Sequence, residues 1–109
     1  MVVTSDMIYG HTDSIILRHL MDSDNYGYEI NRSILEKSTG RFELKEATLY
    51  TAFRRLEKEG YIRSYWGDEQ STGGARRRYY SITDAGRERF FQRMSEWRDI
   101  KELMDVLFS

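Results

Sequence analysis

The 109-residue chain has no cysteine and no proline. The first absence excludes a disulfide framework, a thiolate zinc site and a cysteine nucleophile. The second leaves glycine and Asn/Asp clusters as the main chain breakers, which predicts a mostly helical protein. No apolar run approaches the ~20 residues that span a bilayer, so no membrane is expected among its partners. The stretch MVVTSDMIYGH lacks the basic and apolar regions of a secretion signal, and the expectation is a cytoplasmic protein. Net charge is also scarce, at −1, and by itself does not announce a polyanionic partner. No glycine-rich phosphate loop or nucleophile elbow is found. The acids are scattered as solvating charge. His11 and His19 stand eight residues apart without a cysteine to complete a metal site, and read as surface or interface residues. The expectation is a non-enzyme without metal or cofactor.

What is present is an uneven distribution of charge. Residues 45–89 hold 10 Lys/Arg against 7 Asp/Glu, residues 1–44 hold 4 against 7, and residues 90–109 hold 3 against 4. A basic middle between acidic ends suggests that one face meets a polyanion. The length fits one compact domain with a modest core, which favours burying more surface against a second copy.

The periodicities predict the order helix, helix, helix, strand, strand, helix. A first helix is expected from about Asp6 to Met21, with Ile8, Ile15, Ile16, Leu17 and Leu20 as apolar positions. Asp24 or Asn25 is expected to cap a second helix that carries Ile30, Ile34 and Leu35 on one side and ends near Gly40. The third is the clearest: in KEATLYTAFRRLEKEG, Leu49, Phe53 and Leu56 make a single stripe, and Gly60 stops the helix. Thr48, Thr51, Arg54, Arg55 and Lys58 lie off that stripe. YIRSYW alternates like a strand, RRYYSIT answers it, and residues 67–75 make a polar hairpin tip. Thr83 and Asp84 are expected to cap a last helix that reaches about Phe108.

These elements predict a mainly α (α+β) fold. It is a winged helix-turn-helix over residues 1–83, with a two-stranded wing, followed by a long dimerisation helix over residues 84–109 that packs with the first helix. The third helix is read as a recognition helix for the major groove of double-stranded DNA. The glycines let the wing tip bend, and Arg76, Arg77 and Arg78 meet phosphate or a minor groove. Strand alternation forbids all three from pointing the same way, so at least one covers a strand face or pairs with an acid. The last helix carries Phe90, Met94, Trp97, Ile100, Leu103, Met104 and Leu107 at spacings of three and four. So long a stripe cannot be buried within one small domain, which predicts a homodimer. Two-fold pairing would set the recognition helices ~34 Å apart over a palindromic operator. The rival reading is a winged-helix protein-interaction module without sequence-specific DNA binding.

EATLYTAFRRLEKEGYI, YWGDE and GGARRRYYSITDAG, together with YGYEI in the second helix, resemble the signature of the PadR family of transcriptional regulators. The likeness runs over roughly residues 10–105 and is greatest to the short multidrug-binding members. It implies repression of the regulator's own promoter and of a neighbouring transporter-type gene. It implies DNA contact by Lys45, Ala47, Thr48, Tyr50, Thr51 and Arg54, and wing contact by Arg76 and Arg77. It also implies that the Trp97 rings of two subunits sandwich a planar aromatic small molecule at the dimer centre, beside Met94. Lys101 stands one turn after Trp97, where such members have an acid. Asp13 and Ser14 replace an amide and an apolar residue, and negative charge toward a ligand is expected from there.

Overall fold

A computed structural model describes residues 2–4, 7–8, 10–68 and 76–109. In chain order the elements are α1 (Thr12–His19), β1 (Asn25–Tyr26), α2 (Gly27–Lys37), α3 (Glu46–Lys58), β2 (Ile62–Trp66), β3 (Arg78–Ile82) and α4 (Asp84–Leu107). The order expected from the sequence is observed, with one addition. A two-residue strand, β1, joins the edge of the hairpin and gives a three-stranded antiparallel sheet in the order β1-β3-β2. Two residues are too few for a period, so sequence pattern could not reveal it.

The core lies between α1, α2, α3, the inner face of the sheet and the start of α4. Ile16, Leu17, Leu20, Ile30, Ile34, Leu44, Leu49, Phe53, Leu56, Ile62, Tyr80 and Phe90 are buried there. The α3 stripe is buried as its spacing predicts, with Ala52 added. Phe53 stacks on Tyr80 at 3.9 Å between ring centroids, which fastens α3 to β3. The helix ends on Gly60 at φ +81°, where the Tyr61 amide donates back to the Leu56 carbonyl at 2.9 Å. Thr83 caps α4 as expected: its hydroxyl accepts from the Gly86 amide at 3.1 Å and donates to the Gly60 carbonyl at 2.7 Å.

Three expectations are corrected. α1 begins at Thr12, not near residue 6, because Gly10 takes φ +90° and the His11 amide closes a turn on the Ile8 carbonyl. Asp6 lies outside the described residues. Neither Asp24 nor Asn25 caps α2. Tyr26 occupies that position in extended backbone, and the Asn25 side chain accepts from the Tyr26 amide instead. α2 ends at Lys37 rather than near Gly40, as Thr39 and Gly40 both turn to positive φ, and Leu35 faces solvent while Ile30 and Ile34 are buried.

The segment between α2 and α3 is held by side chains. Asn31 donates to the Leu44 carbonyl at 2.7 Å and accepts from the Leu44 amide at 2.9 Å. Ser38 accepts from the Phe42 amide at 3.0 Å. These bonds satisfy backbone groups of a connection that has no ladder, and they fix the entry angle of α3. Among the described residues no helix is long and apolar enough to cross a membrane.

Candidate nucleic-acid interface

α3 buries Leu49, Ala52, Phe53 and Leu56 on one side. At ~100° per residue, Ala47, Thr51, Arg54 and Lys58 fall opposite that stripe, and all four are exposed. Lys45 stands exposed at the N-cap, and Thr48 is half-buried. The structure thus brings Lys45, Ala47, Thr48, Thr51 and Arg54 onto one surface. Arg54 donates to the Thr51 hydroxyl at 3.2 Å, which lays its guanidinium along that surface.

Two neighbours flank this face. On the Thr48 side, Arg55 forms an ion pair with Asp13 of α1, and a shallow cleft runs between the two helices. Asp13 therefore sits with the α3 surface and not beside Trp97. On the other side stand Tyr50 and Glu57. Tyr50 leans back so far that a Cβ on Gly27 would lie 2.8 Å from its hydroxyl oxygen. The start of α2 thereby sets where the Tyr50 ring can go.

The hairpin pairs Ile62 with Ile82, Ser64 with Tyr80 and Trp66 with Arg78. These residues share the face turned to α3, because Tyr80 stacks on Phe53 and Ser64 donates to the Glu57 carboxylate at 2.6 Å. Arg78 is on this face too. It donates to the Ser64 hydroxyl at 2.7 Å, approaches Glu57 at 3.7 Å and lies 5.3 Å over the Trp66 ring. The opposite face carries Tyr26, Tyr79 and Tyr65 side by side across the three strands, with centroids 5.5 and 5.6 Å apart. Arg77 lies on that side, 4.7 Å over the Tyr26 ring. Arg76 is exposed and donates through Nε to the Gly67 carbonyl at 2.7 Å. Arg77 and Arg78 therefore turn to opposite faces of the sheet, as alternation requires. The acid that receives Arg78 is Glu57 of α3. Residues 69–75, Glu69 among them, lie outside the described residues.

A second concavity of about 500 Å³ opens between α1 and α4, lined by His11, Ser14, Ile15, His19, Phe90, Met94 and Trp97. Trp97 is 40% exposed and meets the His11 ring edge-on at 5.1 Å. Lys101 is exposed on α4 and does not line this cleft. Burial holds the His19 imidazole below its ordinary pKa; the Ile15 carbonyl opposes this, and Lys37 and Arg18 reinforce it. Ser14 Oγ and His19 Nε2 are buried without a hydrogen-bond partner among the described residues. Beyond the cleft, Ile100, Leu103, Met104 and Leu107 continue an exposed apolar stripe along α4.

Known proteins resemble this chain over nearly its whole length. The model of the transcriptional regulator PadR-like family matches residues 16–92. A protein of Lysinibacillus sphaericus, described only as uncharacterized, is 45% identical over 105 residues, 96% of this chain and 94% of that protein. The structure of a transcriptional regulator from Clostridium thermocellum superposes with a TM-score of 0.87 at 45% identity, covering 96% of this chain and 97% of that one. A PadR family transcription regulator from hypervirulent Clostridium difficile does so at 0.76 and 39% identity, over 92% of this chain and 100% of its own.

Proposed function

Since the chain belongs to the PadR-like family of transcriptional regulators, whose members are non-enzymatic DNA-binding proteins, we propose that it is a homodimeric, cytoplasmic repressor that occupies a palindromic operator. The operator would lie in its own promoter and in that of a neighbouring transporter-type gene. Residues 1–83 would form the DNA-binding domain and residues 84–109 the dimerisation helix. The observation that carries this reading is the surface of α3. Lys45, Ala47, Thr48, Thr51 and Arg54 form a small, polar and basic face beside an arginine-bearing hairpin. A face of that shape fits a groove ~12 Å wide, where Thr and Arg can reach base edges and phosphates. Tyr50, held against α2, would contact the edge of the groove, and Arg76 would add charge from the wing.

The α1/α4 cleft favours an effector site. Trp97 presents an open ring there, with Met94 one turn away. The two unpartnered polar atoms nearby would find partners in a second copy or in a planar aromatic ligand. Ser14 lines this cleft. Asp13, tied to Arg55, and Lys101, beyond the cleft, would reach a ligand only across the dimer.

The test is titration of the purified protein into a duplex from upstream of its own gene and into a scrambled duplex, at one stated salt. The upstream duplex should bind a thousandfold or more tightly. A planar aromatic compound that does not itself bind DNA should then dissolve that complex, and should fail to do so with Trp97→Ala. Equal weak binding to both duplexes would favour the protein-interaction module instead.

A further inference from the structure

The three wing arginines look equivalent in sequence, and the structure separates them. Arg77 is turned onto Tyr26, on the sheet face away from α3. Arg78 is turned toward α3 and clamped. Its guanidinium meets Ser64 and Glu57 and covers the Trp66 ring, while Ser64 donates to Glu57 in turn. Both acceptors of this clamp sit on rigid elements, β2 and α3. Trp66 and Arg78 are therefore fixed relative to the recognition surface.

Their position continues that surface. Glu57 lies three residues after Arg54 on α3, at the border between the exposed face and the sheet. The Arg78–Trp66 pair stands just beyond Glu57, two register positions further out than Ser64. Trp66 leaves 55% of its surface exposed. Glu57 is occupied by Ser64 and Arg78, so it does not meet an approaching polyanion as a bare charge. We infer that Trp66 and Arg78, rather than Arg77, form the wing's contact with DNA: the indole lies against deoxyribose of the backbone flanking the α3 groove, and Arg78 supplies charge to the adjacent phosphate. The chemistry suits the occupant. The sugar is the apolar part of the backbone, the indole N–H can donate to a phosphate oxygen, and Arg78, over the indole ring, sets positive charge beside it. This inference rests on the DNA-binding reading of α3.

The experiment compares the full-length protein with Trp66→Ala, Trp66→Phe, Arg78→Ala, Arg78→Lys and Arg54→Ala on one upstream duplex over a salt series. Trp66→Ala should weaken binding about tenfold, the loss of one aromatic flank, without changing the salt slope. Trp66→Phe should recover most of the affinity. Arg78→Ala should flatten the slope of log K against log salt by about one, one phosphate contact, and Arg78→Lys should restore it. Wild-type affinity and slope in the Trp66 and Arg78 variants, with Arg54→Ala weakened, would overturn the inference and leave the α3 reading standing. Weaker binding by Arg78→Ala at an unchanged slope would also overturn it, assigning the residue to hairpin structure alone. If the unaltered chain bound no duplex, the α3 reading and this one would fall together.

Discussion

Gly27 and Gly86 are both buried glycines in the first turn of a helix, and an added methyl meets a different neighbour at each. At Gly86 it would run into the Tyr61 carbonyl oxygen and the Ile82 side chain. Backbone cannot yield, so Gly86→Ala should destabilise the fold by about 1–3 kcal/mol, read as a lower Tm. At Gly27 the obstacle is the hydroxyl end of Tyr50, 2.8 Å away, which can swing aside. Gly27→Ala should therefore move Tm little and weaken DNA binding severalfold, because the displaced ring borders the α3 surface. A Tm loss equal to that of Gly86→Ala with unchanged DNA affinity would contradict this. At this scale the sequence was legible where a side chain's role follows from its own helix or strand. Leu49, Phe53 and Leu56 were found from spacing alone. The Asp13–Arg55 pair and the Asn31–Leu44 bonds were not, since they join residues 42 and 13 apart.

Elements were legible in proportion to their length and to the clarity of their ends. α3 has a clean stripe and a glycine stop, and α4 a side-chain cap, so the sequence marks where each lies. The apolar pattern of α1 runs back to Ile8, while the left-handed turn at Gly10 interrupts the backbone and starts the helix later. The hairpin register, once known, separates Arg76, Arg77 and Arg78. The count of positive charge alone could not. α4 makes its own prediction. Its first turns bury Phe90 in the core, whereas Ile100, Leu103, Met104 and Leu107 are exposed over the last two turns. Such a stripe needs a partner helix. The double substitution Ile100→Asp and Leu103→Asp should shift the protein in sedimentation equilibrium from twice the chain mass to the chain mass. A dimer that survives both changes would place the subunit contact elsewhere.

For the whole molecule, one basic face and one apolar helix edge divide the work: the first would meet DNA, and the second would set the distance between two copies of the first. The overall charge of −1 conceals this, because the excess of Lys/Arg lies in residues 45–89 and the excess of Asp/Glu in the segments on either side. The family and fold were legible from motif order. Of the α1/α4 cleft, Ser14, Met94 and Trp97 were legible and the rest was not, because its walls come from two helices distant in sequence. The measurement that tests the paired reading most directly is a hydroxyl-radical footprint of the protein on its upstream duplex. Two equivalent protected segments related by a two-fold axis, with centres about one helical turn or ~34 Å apart, are the predicted result. A single protected segment, or protection that spreads evenly along the duplex, would contradict the account of two recognition helices held in register by α4.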